Sequence, residues 1–412
     1  MGPPTGGALK LPPQCVVVLV CGGPGAVVRS GTETRPMLRS LALLLLLLAA
    51  CACGLFAQPT ASCATNGTPC PTPRWVPQYS LARSSMVNPN GPTPFEPNAS
   101  QPWGLYSLDW NVGSAVWNAS GPHAATIEAT TRANCARIKA MHPTSRCFGY
   151  HNLELSLEAI ESQRSAMFPG EPNYNPEFFL RFPNGSVYNE PGGPGAQYFF
   201  NHTNPATRAF FVASVLAALA FPEMDGTYTD DVIGLPSEHN NMVRALNLSA
   251  AQIAEHQYAT SLTGAALIDA AVAAGKYVWQ AFDGDDKVGR DGSLPGPTPA
   301  TCLAWMRARC TAAYQAHPVL QQAVPNGVTY TPAQMNASLA SFLVTRPPAA
   351  FWGFGWDGKP HDGENWLPQF LWDVGEPAGQ CAEASAGVFT RAWSYGEASL
   401  DCNTFVGTVP AR

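Results

Sequence analysis

The sequence predicts an α/β fold of parallel strands, and three observations carry that expectation. Between residues 104 and 357, short apolar runs alternate with longer helical stretches, the pattern of successive βαβ units. Four of those runs end in aspartate. Apolar residues make up 46% of the 412, enough for a sizeable core. At ~150 residues per domain the length allows two to three domains, yet an α/β barrel uses 250 residues or more as one.

The elements read in order. Residues 104–109 form a short apolar strand ending at Asp109. Residues 126–141 follow with helical spacing through Ile127, Ala133, Ile138 and Met141. Residues 147–152 read as a second strand, and 155–167 as an amphipathic helix. Residues 178–182 read as a weak third strand before a long loop. Residues 205–220 are an Ala-rich helix with Pro205 just inside its start, a good opening signal. Residues 226–232 are a strand carrying Asp230 and Asp231, and 249–274 a long helix behind Ser249, a favoured N-cap residue. Residues 276–282 are a strand ending at Asp283. Helices near 300–316 and 332–345 precede a last strand, 350–356, ending at Asp357. Eight strands would close a barrel, so two of the eight are inferred.

Ahead of this lies a leader, residues 1–57. Arg39, the run Leu44 to Leu48 and the small residues Ala49 to Gly54 read as a secretory signal peptide, with Met37 its natural start. The apolar stretch is about 16 residues, short of the ~20 a membrane span needs. No stable span is therefore expected after cleavage. Residues 58–102, rich in Pro and Gly, read as an irregular arm, and 103–412 as one barrel domain. Of twelve cysteines, Cys15, Cys21, Cys51 and Cys53 leave with the leader. The remaining eight are Cys63, Cys70, Cys135, Cys147, Cys302, Cys310, Cys381 and Cys402, with no Cys-x-x-Cys pair. An even set without metal spacing favours disulfides and an extracellular or cell-surface setting. Cys63–Cys70 and Cys135–Cys147 are local candidates. Cys302 and Cys310 lie eight apart in a helical stretch, about 12 Å of rise, against the ~7 Å a bridge allows. Either that helix breaks or the two pair elsewhere, for example with Cys381 and Cys402. Glycosylation sequons at Asn66, Asn98, Asn118, Asn184, Asn201, Asn247 and Asn336 agree with secretion.

Composition and motifs exclude several classes. Charged residues are 13% and net charge is −6, so a phosphate-tracking basic surface and a nucleic-acid partner are not expected. No nucleophile elbow, phosphate loop or dinucleotide fingerprint occurs, and no cofactor or metal is implied. The run from Asp283 to Gly292 invites a calcium-loop reading. Lys287, Val288 and Leu294 stand where an EF-hand needs a ligand, a glycine and a glutamate. Asp230, Asp231, Glu238 and His239 are a lesser metal alternative. The sequence leaves the oligomeric state open.

The chemistry lies in the acids. In a parallel barrel the C-terminal strand ends converge on one face. Asp109, Asp230, Asp231, Asp283 and Asp357 would then surround a single pocket. The competing reading is that Asp follows strands because it caps helices and starts turns.

The segments Leu108-Asp109-Trp110, Phe148-Gly149-Tyr150-His151-Asn152 and Asp225-Gly226-Thr227-Tyr228-Thr229-Asp230-Asp231-Val232 resemble a poorly characterised group of secreted glycoside-hydrolase-like TIM-barrel proteins. That group is similar in its aromatic-Asp-Trp first strand, Tyr-x-Asn second strand and Gly-x-x-x-Asp-Asp central strand. Gln280-Ala281-Phe282 and Phe351-Trp352-Gly353 also fit. His151 departs from the group's usual Arg. The resemblance runs over roughly residues 100–360. It implies a single-domain (β/α)8 TIM barrel with the irregular arm ahead of it, and a carbohydrate substrate cleaved at its glycosidic bonds. It also aligns the group's main acid with Asp230.

Glycosidic cleavage needs one protonated acid and one carboxylate. Asp230 is the expected nucleophile or base. Asp231, on the alternate face, would orient a loop, cap the next helix or hydrogen-bond a sugar. The acid must come from another strand: Asp283 first, with Glu154 or Asp109 next. Apolar neighbours such as Trp279 and Phe282 would raise its pKa. Trp110, Tyr150, Trp279, Trp352 and Trp356 are placed to stack on sugar faces or to pack the core. Tyr228, Asn152 and Asp357 complete the substrate-binding set. The alternatives are a non-catalytic carbohydrate-binding barrel and a structural cell-surface glycoprotein.

Overall fold

The computed structural model describes residues 79–91, 93–115, 127–190, 195–232, 240–280, 298–315, 320–324, 331–354 and 366–410. Along them run β1 (Ser85–Val87), β2 (Leu105–Ser107), α1 (Ile127–Met141), β3 (Arg146–Asn152), β4 (Leu155–Leu157), α2 (Glu161–Arg164) and β5 (Gln197–Phe199). Next come α3 (Pro205–Leu219), β6 (Gly226–Asp230), α4 (Asn240–Ala245), α5 (Ala250–Ala273) and β7 (Tyr277–Gln280). Then follow α6 (Pro299–Arg309), α7 (Ala312–Gln315), β8 (Leu320–Val324), α8 (Pro332–Thr345) and β9 (Ala350–Phe354). Last are β10 (Ala382–Ser385), β11 (Val388–Trp393), β12 (Gly396–Asp401) and β13 (Val406–Thr408).

Helices start where their caps dictate. Asn204 accepts the N–H of Ala206 ahead of Pro205 in α3. Ser249 with Gln252, Thr298 with Thr301 and Thr331 with Gln334 form reciprocal capping boxes at α5, α6 and α8, each satisfying donors the first helical turn leaves open.

The main sheet is parallel, in the order β7-β6-β3-β2-β1-β9-β8. β1 pairs with β2 on one side and with β9 on the other. Among the described residues the strands therefore follow chain order from β8 through β9, β1, β2, β3 and β6 to β7, with no pairing described between β7 and β8. Seven parallel strands are described, against the eight of the expected closed barrel. Inside the curl, Met86, Leu105, Phe148, Tyr228, Tyr277, Trp279 and Phe351 form one buried cluster. The alternate residues Val87, Tyr106, Cys147 and Trp352 pack outward with Ile138 of α1, Phe211 of α3, Leu267 of α5 and Phe342 of α8.

Four expectations are corrected. The stretch expected as an irregular arm supplies β1, fully buried between two neighbours. The expected helix over 155–167 is β4 and the single turn α2, because β4 pairs antiparallel with β5. The expected strand over 178–182 is a 3-10 turn, Pro176–Phe178, followed by isolated bridges from Phe179 and Arg181. Beyond β9 the chain forms an antiparallel sheet, β10-β11-β12-β13, rather than more barrel. Two disulfides fasten this sheet region to α6 and the residue after it: Cys302–Cys402 and Cys310–Cys381. Cys135–Cys147 joins α1 to β3. α8 lies between the two sheets, with all residues from 337 to 345 buried. Gly407 of β13 comes so near that a Cβ there would lie 2.5 Å from Ala337 Cα. Among the described residues no helix is long and apolar enough to cross a membrane.

Candidate active site

β6, β3 and β2 lie side by side, so their carboxyl ends share one rim. Tyr150 is registered against Tyr228, Tyr228 against Trp279, and Asn152 against Asp230. Side chains alternate along a strand. Tyr150 and Asn152 therefore share the inner face of β3, and Tyr228 and Asp230 that of β6. Tyr228 stacks on Trp279 at 4.6 Å and meets Tyr150 edge-on at 5.3 Å. These rings form a floor, and the acids stand above it.

Asp230 is the buried last residue of β6. Its Oδ2 accepts a hydrogen bond from the Tyr150 hydroxyl at 3.0 Å, and its Oδ1 one from the Asp231 N–H at 3.0 Å. Burial, then the charges of Asp231 and Asp109, push its carboxyl well above the usual range. Asp109 is wholly buried just past β2. Its Oδ1 accepts the N–H of Asn111 at 3.1 Å. Its Oδ2 is buried with no hydrogen-bond partner among the described residues. Burial raises its pKa to about 7, against the pull of the Asn111 and Trp110 N–H groups. The Tyr150 phenol is held well above its usual value by burial and by the charges of Asp230, Asp231 and Asp109. Three acids thus act on one phenol.

Strand alternation predicts that Asp231 points away from Asp230, and the structure corrects this. β6 ends at Asp230, and Asp231 adopts a left-handed φ of 54°, which Asp tolerates better than most residues. The kink brings its Oδ2 to the Asn152 amide, 2.7 Å from Nδ2. Nδ2 of Asn152 also donates to the Tyr150 hydroxyl at 3.0 Å. Its Oδ1 accepts the N–H groups of Glu154 and Leu155 at 2.9 and 2.7 Å. Both polar ends of Asn152 are thus engaged within the protein, and it braces Tyr150 and Asp231.

Glu154 is buried and looks toward a different group, with its Oε2 3.7 Å from Nδ1 of His256. Trp110, next to Asp109, is half-buried, whereas Tyr228, Trp279 and Trp352 are buried. Asp283, Trp356, Asp357, Glu238 and His239 lie outside the described residues, as do Cys63, Cys70, Asn66 and Asn118. Asn98, Asn184 and Asn247 are exposed; Asn201 and Asn336 are half-buried, Asn336 within α8. Among the described residues no group of three His, Cys, Asp or Glu is arranged to hold a metal. The sequence placed Asp109 level with Glu154, after Asp283, and marked Tyr150 as a stacking ring. The signal it lacked was register: Tyr150, two residues before Asn152, lies one layer below Asp230.

No family model and no curated protein matches the sequence. Three solved structures illustrate its slight likenesses. Aspergillus fumigatus Ega3 in complex with galactosamine is 12% identical at TM-score 0.36, covering 70% of this chain and 96% of that one. Flavobacterium johnsoniae GH31 dextranase is 10% identical at 0.41, covering 72% of this chain and 39% of that one. Arthrobacter globiformis cyclic alpha-maltosyl-(1-->6)-maltose hydrolase is 12% identical at 0.37, covering 79% and 92%. Likenesses at such scores are too slight to bear on chemistry.

Proposed function

We propose that this protein is a secreted glycoside hydrolase, built on a (β/α)8 barrel, that cleaves a polysaccharide or glycan with Asp109 as general acid and Asp230 as nucleophile or base. The supporting observation is the set of buried carboxyls around Tyr150, on neighbouring strand ends, with unequal hydrogen bonding. Asp230 receives a donor on each oxygen, which offsets part of the rise that burial and its acid neighbours cause. Asp109 leaves Oδ2 bare, and we assign the proton of the pair to it. With a pKa of about 7 it is still protonated in weakly acid solution, as a general acid must be. In the reaction Asp109 protonates the leaving glycosidic oxygen as the bond to the anomeric carbon breaks. Asp230 attacks that carbon, or takes the proton of the water that does. Asp231, Asn152 and Tyr150 hold Asp230 in place, and half-buried Trp110 meets the sugar. The leader would direct the chain to an oxidising compartment, where its three described disulfides persist.

The test is turnover of a polysaccharide panel, read as new reducing ends, by wild type, Asp230→Asn and Asp109→Asn. The expected result is a fall of at least ~10³-fold in either variant with the fold intact by circular dichroism. Unchanged turnover in Asp230→Asn ends its assignment. Glycan binding by a wild type that cleaves nothing on the panel favours the non-catalytic barrel.

A further inference from the structure

The other face of β3 carries a second arrangement, distinct from the acid cluster although Tyr150 borders both. Gly149 and His151 alternate with Tyr150 and Asn152 and so point outward. There, with α1 and the end of α3, they line a cavity of about 250 Å³. That is roughly eight times the ~30 Å³ share of one water in the liquid, enough for one small ring or a short chain of carbons.

Its polar lining is unbalanced. His151 is 1% exposed, and its Nδ1 lies 2.8 Å from Thr227 Oγ1. The Thr227 hydroxyl hydrogen is directed to the Gly149 carbonyl at 3.0 Å. Nδ1 of His151 therefore carries the ring hydrogen, and in the neutral ring Nε2 is left as a bare acceptor. Nε2 makes no hydrogen bond and stands 3.7 Å from Oε1 of Glu128, a second acceptor. Glu128 is half-buried, and its Oε1 and Oε2 already accept from the Ser162 hydroxyl and N–H; the buried atom left without a partner is His151 Nε2, although buried polar atoms are ordinarily paired. Arg132, also in the lining, lies over the Phe221 ring at 4.0 Å, with no hydrogen bond or ion pair among the described residues. Its guanidinium, half-buried, offers donors to the cavity and has no acceptor among the described residues.

We propose that this cavity is a binding site for a neutral polyhydroxylated molecule of monosaccharide size. Each sugar hydroxyl both donates and accepts, so one ligand can donate to His151 Nε2 and accept from Arg132. Its carbon-bound hydrogens meet Ile127, Met224 and Ala218, which also line the cavity. A simple anion would supply no donor and would face Glu128 and Glu161, both in the lining. A simple ammonium ion would supply no acceptor to Arg132.

The experiment is saturation-transfer NMR on the full protein with glucose, galactose, mannose and xylitol, with acetate and L-alanine as charged probes. One or more of the neutral probes gives saturation transfer with wild type and equally with Asp230→Asn, which separates this site from the barrel mouth. Arg132→Ala weakens binding at least tenfold. Ala217→Tyr, at an exposed lining position, blocks the cavity without touching the core and abolishes binding, which covers the case in which Arg132→Ala misfolds. The proposal is overturned if folded wild type binds no neutral probe, if Ala217→Tyr binds as wild type does, if Asp230→Asn loses the signal, or if acetate or L-alanine binds better than every sugar.

Discussion

Tyr150 does two things with one hydroxyl: it donates to Asp230 and accepts from Asn152. Removing it by Tyr150→Phe withdraws a donor from the Asp230 carboxylate, so the Asp230 pKa moves further up. The acid limb of the kcat/KM profile is expected to shift upward by about one pH unit, with a loss of roughly 10–100-fold at neutral pH. A profile unchanged in position would show that Tyr150 is only packing. Asp109 makes a less intuitive prediction. Its folded pKa of about 7 lies above the ordinary 3.8, so between those values the native state holds a proton that the unfolded chain has released. Stability therefore falls as pH rises from ~4 to ~7 and levels off above. Asp109→Asn removes that fall. It should melt higher than wild type at pH 7, by on the order of 1–4 kcal/mol, while losing turnover. Calorimetry at pH 4 and 7 reads the difference, and a lower melting temperature than wild type at pH 7 contradicts it. The strand-end acids were legible because parallel strands align their ends and side chains alternate. Asp231 was not, because its positive φ breaks the alternation just where the strand stops. The roles of Asn152 and Tyr150 depend on contacts up to 80 positions apart, which no local pattern encodes.

Among elements, those with strong local signals were readable: α3, α5 and α8 begin at their caps, and β3, β6 and β9 are apolar runs. β1 was not, since three residues in a Pro-rich stretch carry no periodicity, and only its two neighbours make it a strand. β8, with Gln321 and Gln322 at its centre, does not read as apolar. The residues of β10 are all exposed, so burial leaves no trace there. For the cysteines the sequence left two options open. α6 ends at Arg309, Cys310 follows it, and both cysteines pair across to the C-terminal sheet region. Cys302–Cys402 spans 100 residues and Cys135–Cys147 spans 12. Because Cys310–Cys381 lies inside the first loop, the first bridge closes only about 30 free residues, and on loop-closure entropy losing it costs about 3.6 kcal/mol against about 3 for the second. Chemical denaturation of the paired Cys→Ser variants should rank them in that order. The reverse order would mean the C-terminal sheet holds its place without the bridge.

At the scale of the molecule the two rims of the parallel sheet differ in charge. One carries Asp109 and Asp230, whose carboxyl pKa values burial raises above the usual range. At the other, Asp225 before β6 receives Lys139, the Arg146 guanidinium at 3.0 Å and the Cys147 N–H at 2.9 Å. Asp225→Ala removes the acceptor and leaves two cations facing each other, so a loss of about 1–3 kcal/mol is expected, with turnover per folded molecule unchanged. A drop in kcat at full folding would link the rims. Chain order matters at this scale too. β1 is among the first described segments and β9 the last of the parallel strands, yet Met86 pairs with Gly353. During synthesis β1, the first of the described strands, must wait for more than half the polypeptide to emerge before its second neighbour exists. A nascent chain stalled ahead of β9 would expose an open edge, inviting chaperones or a neighbouring nascent chain to occupy it.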